Sequence, residues 1–229
     1  MKYDLDNVLQ AMDRLGYNIF ENDTLPYNIN HVAIRNLDSR DSDTFNDILL
    51  QFYFYNDQTF VNEFEVTVDP GIYYRNYPIN KDGTGILMQG QYKDMHSIGK
   101  HNNQCEALVQ VNECKVIRDI NKDNILDFIS VSDARLFKTY ADGNIINYIY
   151  KSKSLNCTYT VQKGLFGINI HHLSFKDKPI TASIGKYSAA CTVFANYSRD
   201  YVKFLDTCKK SIPYYGNNFT YTLINSNEL

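Results

Sequence analysis

The sequence predicts a β-rich α+β protein, and three observations carry the prediction. Short runs of apolar, β-branched and aromatic residues recur along the chain, separated by Gly, Asn and Asp, the spacing of a mixed β-sandwich or curled sheet. Only two stretches repeat with helical period, one near each end. The composition is globular and aromatic, 44% hydrophobic and 21% charged, with 19 Tyr, 13 Phe and no Trp in 229 residues. A chain of that length can bury a substantial core.

Taken in order, Leu5, Val8, Leu9 and Met12 share one helical face, with Asp4 as the cap and Gly16 as the stop after Leu15. Residues 17–47 are polar and turn-rich, with one short strand expected at His31 to Ile34. Strands follow at Ile48 to Tyr55 and at Phe64 to Val68, the latter closed by the turn Asp69-Pro70-Gly71. Further strands are expected at Gly85 to Met88, Glu106 to Val111, Lys115 to Arg118 and Ile125 to Val131. The series continues at Ile145 to Ile149, Tyr159 to Gln162, Leu165 to His171 and Phe219 to Ile224. Tyr201, Phe204, Leu205 and Cys208 mark the second helix, with Lys209 and Lys210 favourable at its C-terminal end. No repeat or linker divides the chain. Residues 1–60 read as an N-terminal helix-and-strand extension, and residues 61–229 as the catalytic domain.

The net charge of −3 gives no reason to expect nucleic acid or an anionic membrane as partner. No run approaches a membrane span, and the polar, acidic N-terminus lacks a basic region followed by an apolar one. The expectation is therefore a protein made in the cytoplasm without a signal peptide. The five cysteines (Cys105, Cys114, Cys157, Cys191, Cys208) are odd in number and show no CxxC spacing, which argues against a zinc site and a full disulfide framework. Cys105 and Cys114 could pair across a hairpin.

The chemistry concentrates in GINIHH (Gly167 to His172) and SIGKYSAACTVF (Ser183 to Phe194). A histidine sits at the end of an apolar, strand-like run, and a cysteine follows twenty residues later among small side chains. A thiol attacks as thiolate, and an imidazole can take its proton. In this reading Cys191 is the nucleophile and His171 the base. With no acidic neighbour, a backbone carbonyl such as that of His172 would orient the imidazole. Ser188 would bond the ring or brace the loop, and the amides of Ala190 and Cys191 would hold an oxyanion. The competing reading is a small buried hydrophobe at 191 and a satisfied core histidine at 171.

The string IxIHx…SIGxxSxxC resembles the signature of the L,D-transpeptidase catalytic domain family. On that resemblance His171 matches the catalytic histidine, Ser183-Ile184-Gly185 the S-I-G, Ser188 the motif serine and Cys191 the nucleophile. Two departures stand out: Ala189-Ala190 replaces the His-Gly before the cysteine, and Thr192-Val193 lacks the usual Arg or Asn after it. DPGIYY (Asp69 to Tyr74), IGKH (Ile98 to His101) and YGNNFTYTLI are similar to a divergent, phage-encoded branch. The resemblance implies the transpeptidase-type β fold and a cofactor-free, acyl-enzyme attack on peptidoglycan stem peptides. Without an export signal, hydrolysis by a bacteriophage protein, carried in the virion or released at lysis, is preferred to cellular cross-linking. Virion proteins are the second expected partner. The alternatives are a structural virion or tail protein that keeps the fold with a retired site, and an active L,D-transpeptidase.

Other candidates are weaker. Asp119 to Asp127 spaces oxygens as a calcium loop does, but Asn124 stands at the glycine position and Ser130 at the bidentate glutamate, so an Asx-rich turn explains it. Lys100 and His101 read as a solvated loop that could otherwise face a substrate carboxylate. His31 and His96 lack partners at metal spacing and read as structural.

Overall fold

A computed structural model describes residues 1–39, 43–118, 134–152 and 158–229. The expected strand at Ile125 to Val131, the Asp119 to Asp127 pattern and Cys157 lie outside them.

Helix α1 (Leu5–Arg14) is capped as its sequence dictates: the Asp4 side chain accepts from the Asp6 amide, and Gly16 turns the chain out at φ 70°. Its apolar stripe, Leu5, Val8 and Met12, packs on Val32, Ile34, Leu50 and Phe52. Each such buried side chain contributes roughly 1.5–3 kcal/mol.

The β structure forms two sheets. The first is a closed eight-stranded barrel of β1 (Asn30–Arg35), β2 (Asp47–Tyr55), β3 (Gln58–Thr67), β5 (Gly90–His101), β6 (Cys105–Gln110), β11 (Ile170–His172), β12 (Thr192–Phe194) and β13 (Phe219–Asn225). Around the barrel they run β1-β13-β5-β6-β11-β12-β3-β2. Two pairs, β1 with β13 and β11 with β12, are parallel; the other neighbours are antiparallel. The second sheet orders β4 (Gly85–Leu87), β7 (Cys114–Arg118), β10 (Thr158–Gly164), β9 (Ile145–Ser152) and β8 (Ala134–Asp142). Leu87, Cys114 and Val116 join it to the main core.

The expected sandwich or curled sheet is thus a closed barrel with a second sheet packed against it. The boundary expected at residue 60 falls inside β3, and β1 and β2 are barrel staves, so the first sixty residues are built into the same body as the rest. Both faces of β1 are covered: Val32 and Ile34 meet α1, while Ala33 joins the core that holds Phe204 and Cys208. Those two residues belong to α3 (Val202–Tyr215), which follows a π turn at Tyr197–Tyr201. A short helix, α2 (Ile72–Asn76), follows the Asp69-Pro70-Gly71 turn.

Three strands escape the sequence pattern for identifiable reasons. In β5, Asp94 sits at φ 51° and the register with β13 shifts, so the alternation changes phase midway. In β8 the register shifts between Leu136 and Lys138, and Leu136 and Phe137 are both exposed. β12 spans three residues, too short to show a period. The run expected as one strand from Leu165 to His171 is regular only at Ile170–His172, because Gly167 takes φ 71° just before it.

Candidate functional site

His171 lies in β11, and Cys191 immediately precedes its parallel neighbour β12. Ile170 faces Thr192 and His171 faces Val193 in the register, and the Thr192 amide donates to the Asn169 carbonyl at 2.9 Å. Side chains alternate along each strand, so Cys191, Val193, Asn169 and His171 project to one side of the sheet, and Ile170 and Phe194 to the core. Cys191 and Val193 cluster there with Phe45, Leu173 and Ile184. The two residues therefore share a face, as one diagonal pair across adjacent strands.

The orientation of His171 follows the sequence expectation: its Nδ1 lies 3.0 Å from the His172 carbonyl. That carbonyl can only accept, which puts the proton on Nδ1 and the lone pair on Nε2. Nε2 is buried and has no hydrogen-bond partner among the described residues. The Cys191 thiol donates instead to the Gly167 carbonyl at 3.5 Å and receives the Asn169 amide at 3.4 Å. The expected contact between sulfur and imidazole is thus not a hydrogen bond in this state.

Electrostatics agree with that arrangement. Burial pushes the Cys191 thiol up to about 11, partly offset by the Asn169 amide. Burial brings His171 down to about 4, helped by the neighbouring His101 and opposed by the His172 carbonyl. At neutral pH the pair is a thiol and a neutral imidazole. Cys191 is 8% exposed and His171 4% exposed.

Ser188 braces the loop and does not meet the imidazole. Its hydroxyl donates to the Cys191 carbonyl at 2.9 Å and accepts from the Ala190 amide at 3.3 Å, while its carbonyl accepts from the Gly71 amide at 2.9 Å. The Ala190 amide, expected at the oxyanion, is thereby engaged. The Cys191 amide, the other expected donor, has no acceptor among the described residues. Ala190 lies at φ 130°, a region that favours glycine, with its methyl buried. That is the position where the family signature carries Gly.

Two supports have roles that the sequence reading did not assign. Asp43 gathers the S-I-G segment: its carboxylate accepts from the Ile72 amide at 2.8 Å, the Gly185 amide at 3.1 Å and the Ser183 hydroxyl. Gly71 lies so close behind this segment that a Cβ there would stand 2.2 Å from the Gly185 carbonyl oxygen. The other support is His101, read from sequence as a solvated loop. Its ring stacks on His171 with centroids 4.2 Å apart, and its Nδ1 lies 2.9 Å from the Asn169 side-chain amide. Recognising it required seeing β5 as one strand reaching His101.

A second cysteine–histidine contact is sealed inside the barrel: Cys208 Sγ lies 3.7 Å from His31 Nε2, and both are fully buried beside Gln51. Burial raises that thiol strongly and lowers His31 to about 3. His96 bonds the Ile168 carbonyl at 3.0 Å. Cys105 and Cys114 are free thiols. No helix among the described residues is long and apolar enough to cross a membrane.

No known protein family, curated protein or solved structure matches the chain.

Proposed function

We propose that the protein is a cysteine-dependent hydrolase of peptidoglycan stem peptides with an L,D-transpeptidase-type fold, encoded by a bacteriophage and acting from the virion or at lysis. The observation that supports this most is the diagonal pairing of Cys191 and His171 on one side of adjacent strands, with His171 Nδ1 tied to a carbonyl and Nε2 left without a partner. In the reaction Nε2 takes the thiol proton as sulfur attacks the carbonyl of an L-centre next to a D-residue. The Cys191 amide holds the developing oxyanion. The C–N bond breaks, the D-residue leaves with the proton from His171, and water, deprotonated by the same nitrogen, releases the acyl group.

The resting geometry requires substrate to draw the thiol from the Gly167 carbonyl toward Nε2. A protonated, buried thiol is also what a retired site would hold, and this observation favours the second reading, a structural virion or tail protein. Incubation with purified muropeptides separates the two. Wild type should release shortened stems and Cys191→Ala should not; no shortened stem with wild type would sink the enzymatic reading. An added amine acceptor appearing in the product would instead identify transpeptidation.

A further inference from the structure

We infer that the cleft lined by Ala189 and Arg118 is a carboxylate-binding subsite in which Arg118 holds the terminal carboxylate of a peptide. The cleft is made of two adjoining cavities of about 210 and 360 Å³, the larger within the range of small-ligand sites, and Arg118 and Phe166 line both. Ala189, two residues before Cys191 in the chain, is part of the lining of the first, and Phe166 adjoins Gly167, whose carbonyl receives the thiol hydrogen.

Arg118 is mounted rather than merely present. Its Nε donates to Gln162 Oε1 at 2.7 Å, and the Gln162 amide donates on to Asn147 Oδ1 at 2.9 Å, which fixes the plane of the guanidinium. One terminal nitrogen reaches the Gly83 carbonyl at 3.4 Å, and the guanidinium carbon stands 5.7 Å from the centre of the Phe166 ring. Gly85 makes the room: a Cβ there would stand 2.9 Å from Arg118 Nη1. Yet Arg118 forms no ion pair with any carboxylate among the described residues. Burial lowers the Arg118 pKa, and Asp82, which lines the outer cavity with Asp142, opposes this only through space. A half-buried cation with an oriented fork and no ion-pair partner among the described residues fits a planar, bidentate carboxylate. The inference rests on the proposed function only in taking the peptide's reacting carbonyl to lie toward Cys191, and it makes the leaving D-residue a C-terminal one.

Calorimetric titration of the Cys191→Ala protein tests this without turnover. The probes are diacetyl-L-lysyl-D-alanine and its C-terminal amide. The acid should bind about tenfold more tightly than the amide, and Arg118→Gln should erase the difference. Should Arg118→Gln fail to fold, Arg118→Lys, which keeps charge without the fork, should reduce the preference severalfold. Equal binding of acid and amide, no binding of either, or a preference untouched by the variants overturns the inference. The muropeptide assay reads the proposed function separately: stem shortening with no carboxylate preference would leave the enzyme and remove this subsite.

Discussion

The ring of His101 lies nearly parallel to that of His171, 13° from coplanar and 4.2 Å between centroids. Two imidazoles this close disfavour each other's protonation, and His101 also shields His171 from water. His101 thus adds to burial in holding the His171 imidazole neutral. In His101→Ala, the His171 ring should titrate higher, moving from about 4 toward the ordinary value near 6.5, in NMR titration of the ring protons. A His171 value that stays near 4 would leave burial alone as its cause.

The thiol itself offers a second test. With Cys191 near 11, about one part in ten thousand is thiolate at pH 7. Alkylation of Cys191 by iodoacetamide, followed by peptide mapping, should be slow at pH 7 and rise about tenfold per pH unit up to pH 9.5. Cys105, partly exposed, should react ahead of it. A rate at Cys191 that is already fast and flat below pH 7 would mean a preformed thiolate–imidazolium pair.

Ala190 stores backbone strain at φ 130°, worth roughly 1–3 kcal/mol for a residue with a Cβ. Ala190→Gly relieves it, at the loss of a buried methyl worth about 0.8 kcal/mol and about 0.5–1 kcal/mol of chain entropy. The urea midpoint should therefore stay within about 1 kcal/mol of wild type or rise. Ala190→Val, which adds branching at the same φ, should lose about 2 kcal/mol or more. A Gly variant much less stable than wild type would show that methyl packing outweighs the strain.

Asp43 ties the S-I-G segment to the start of α2 by three donors. Asp43→Ala should cost about 2 kcal/mol, the scale of hydrogen bonds to a charged acceptor, and Asp43→Asn less, since one oxygen remains. Urea unfolding checks the order. Equal losses for Ala and Asn would assign the role to charge rather than to the bonds.

Much of this was legible in the residues. The capped α1, strands β2, β4 and β13 and the helix holding Phe204 and Cys208 all appear near where alternation and period put them, because each shows its own repeat locally. So does the His172 carbonyl behind His171, which follows from the absence of an acid nearby. What was hidden depends on closure. Nothing in Asn30 to Arg35 announces a parallel partner at Phe219–Asn225, so the barrel is invisible until the chain returns. The bulge at Asp94 hid β5 and with it His101. Asp43 lies 140 residues from Ser183, and only the tertiary fold makes them neighbours. Ser188 shows the converse: of the two roles expected for it, its hydroxyl takes the bracing one, giving its proton to the Cys191 carbonyl and accepting from the Ala190 amide.

Backbone lies directly on backbone where Gly71 passes behind Gly185. Any distant kin sharing this architecture would need a residue without a side chain at the first of those places, whether or not sulfur survives at position 191. The more durable fingerprint for gathering such kin is thus the bare turn behind the loop, and a lineage without the cysteine would still carry it.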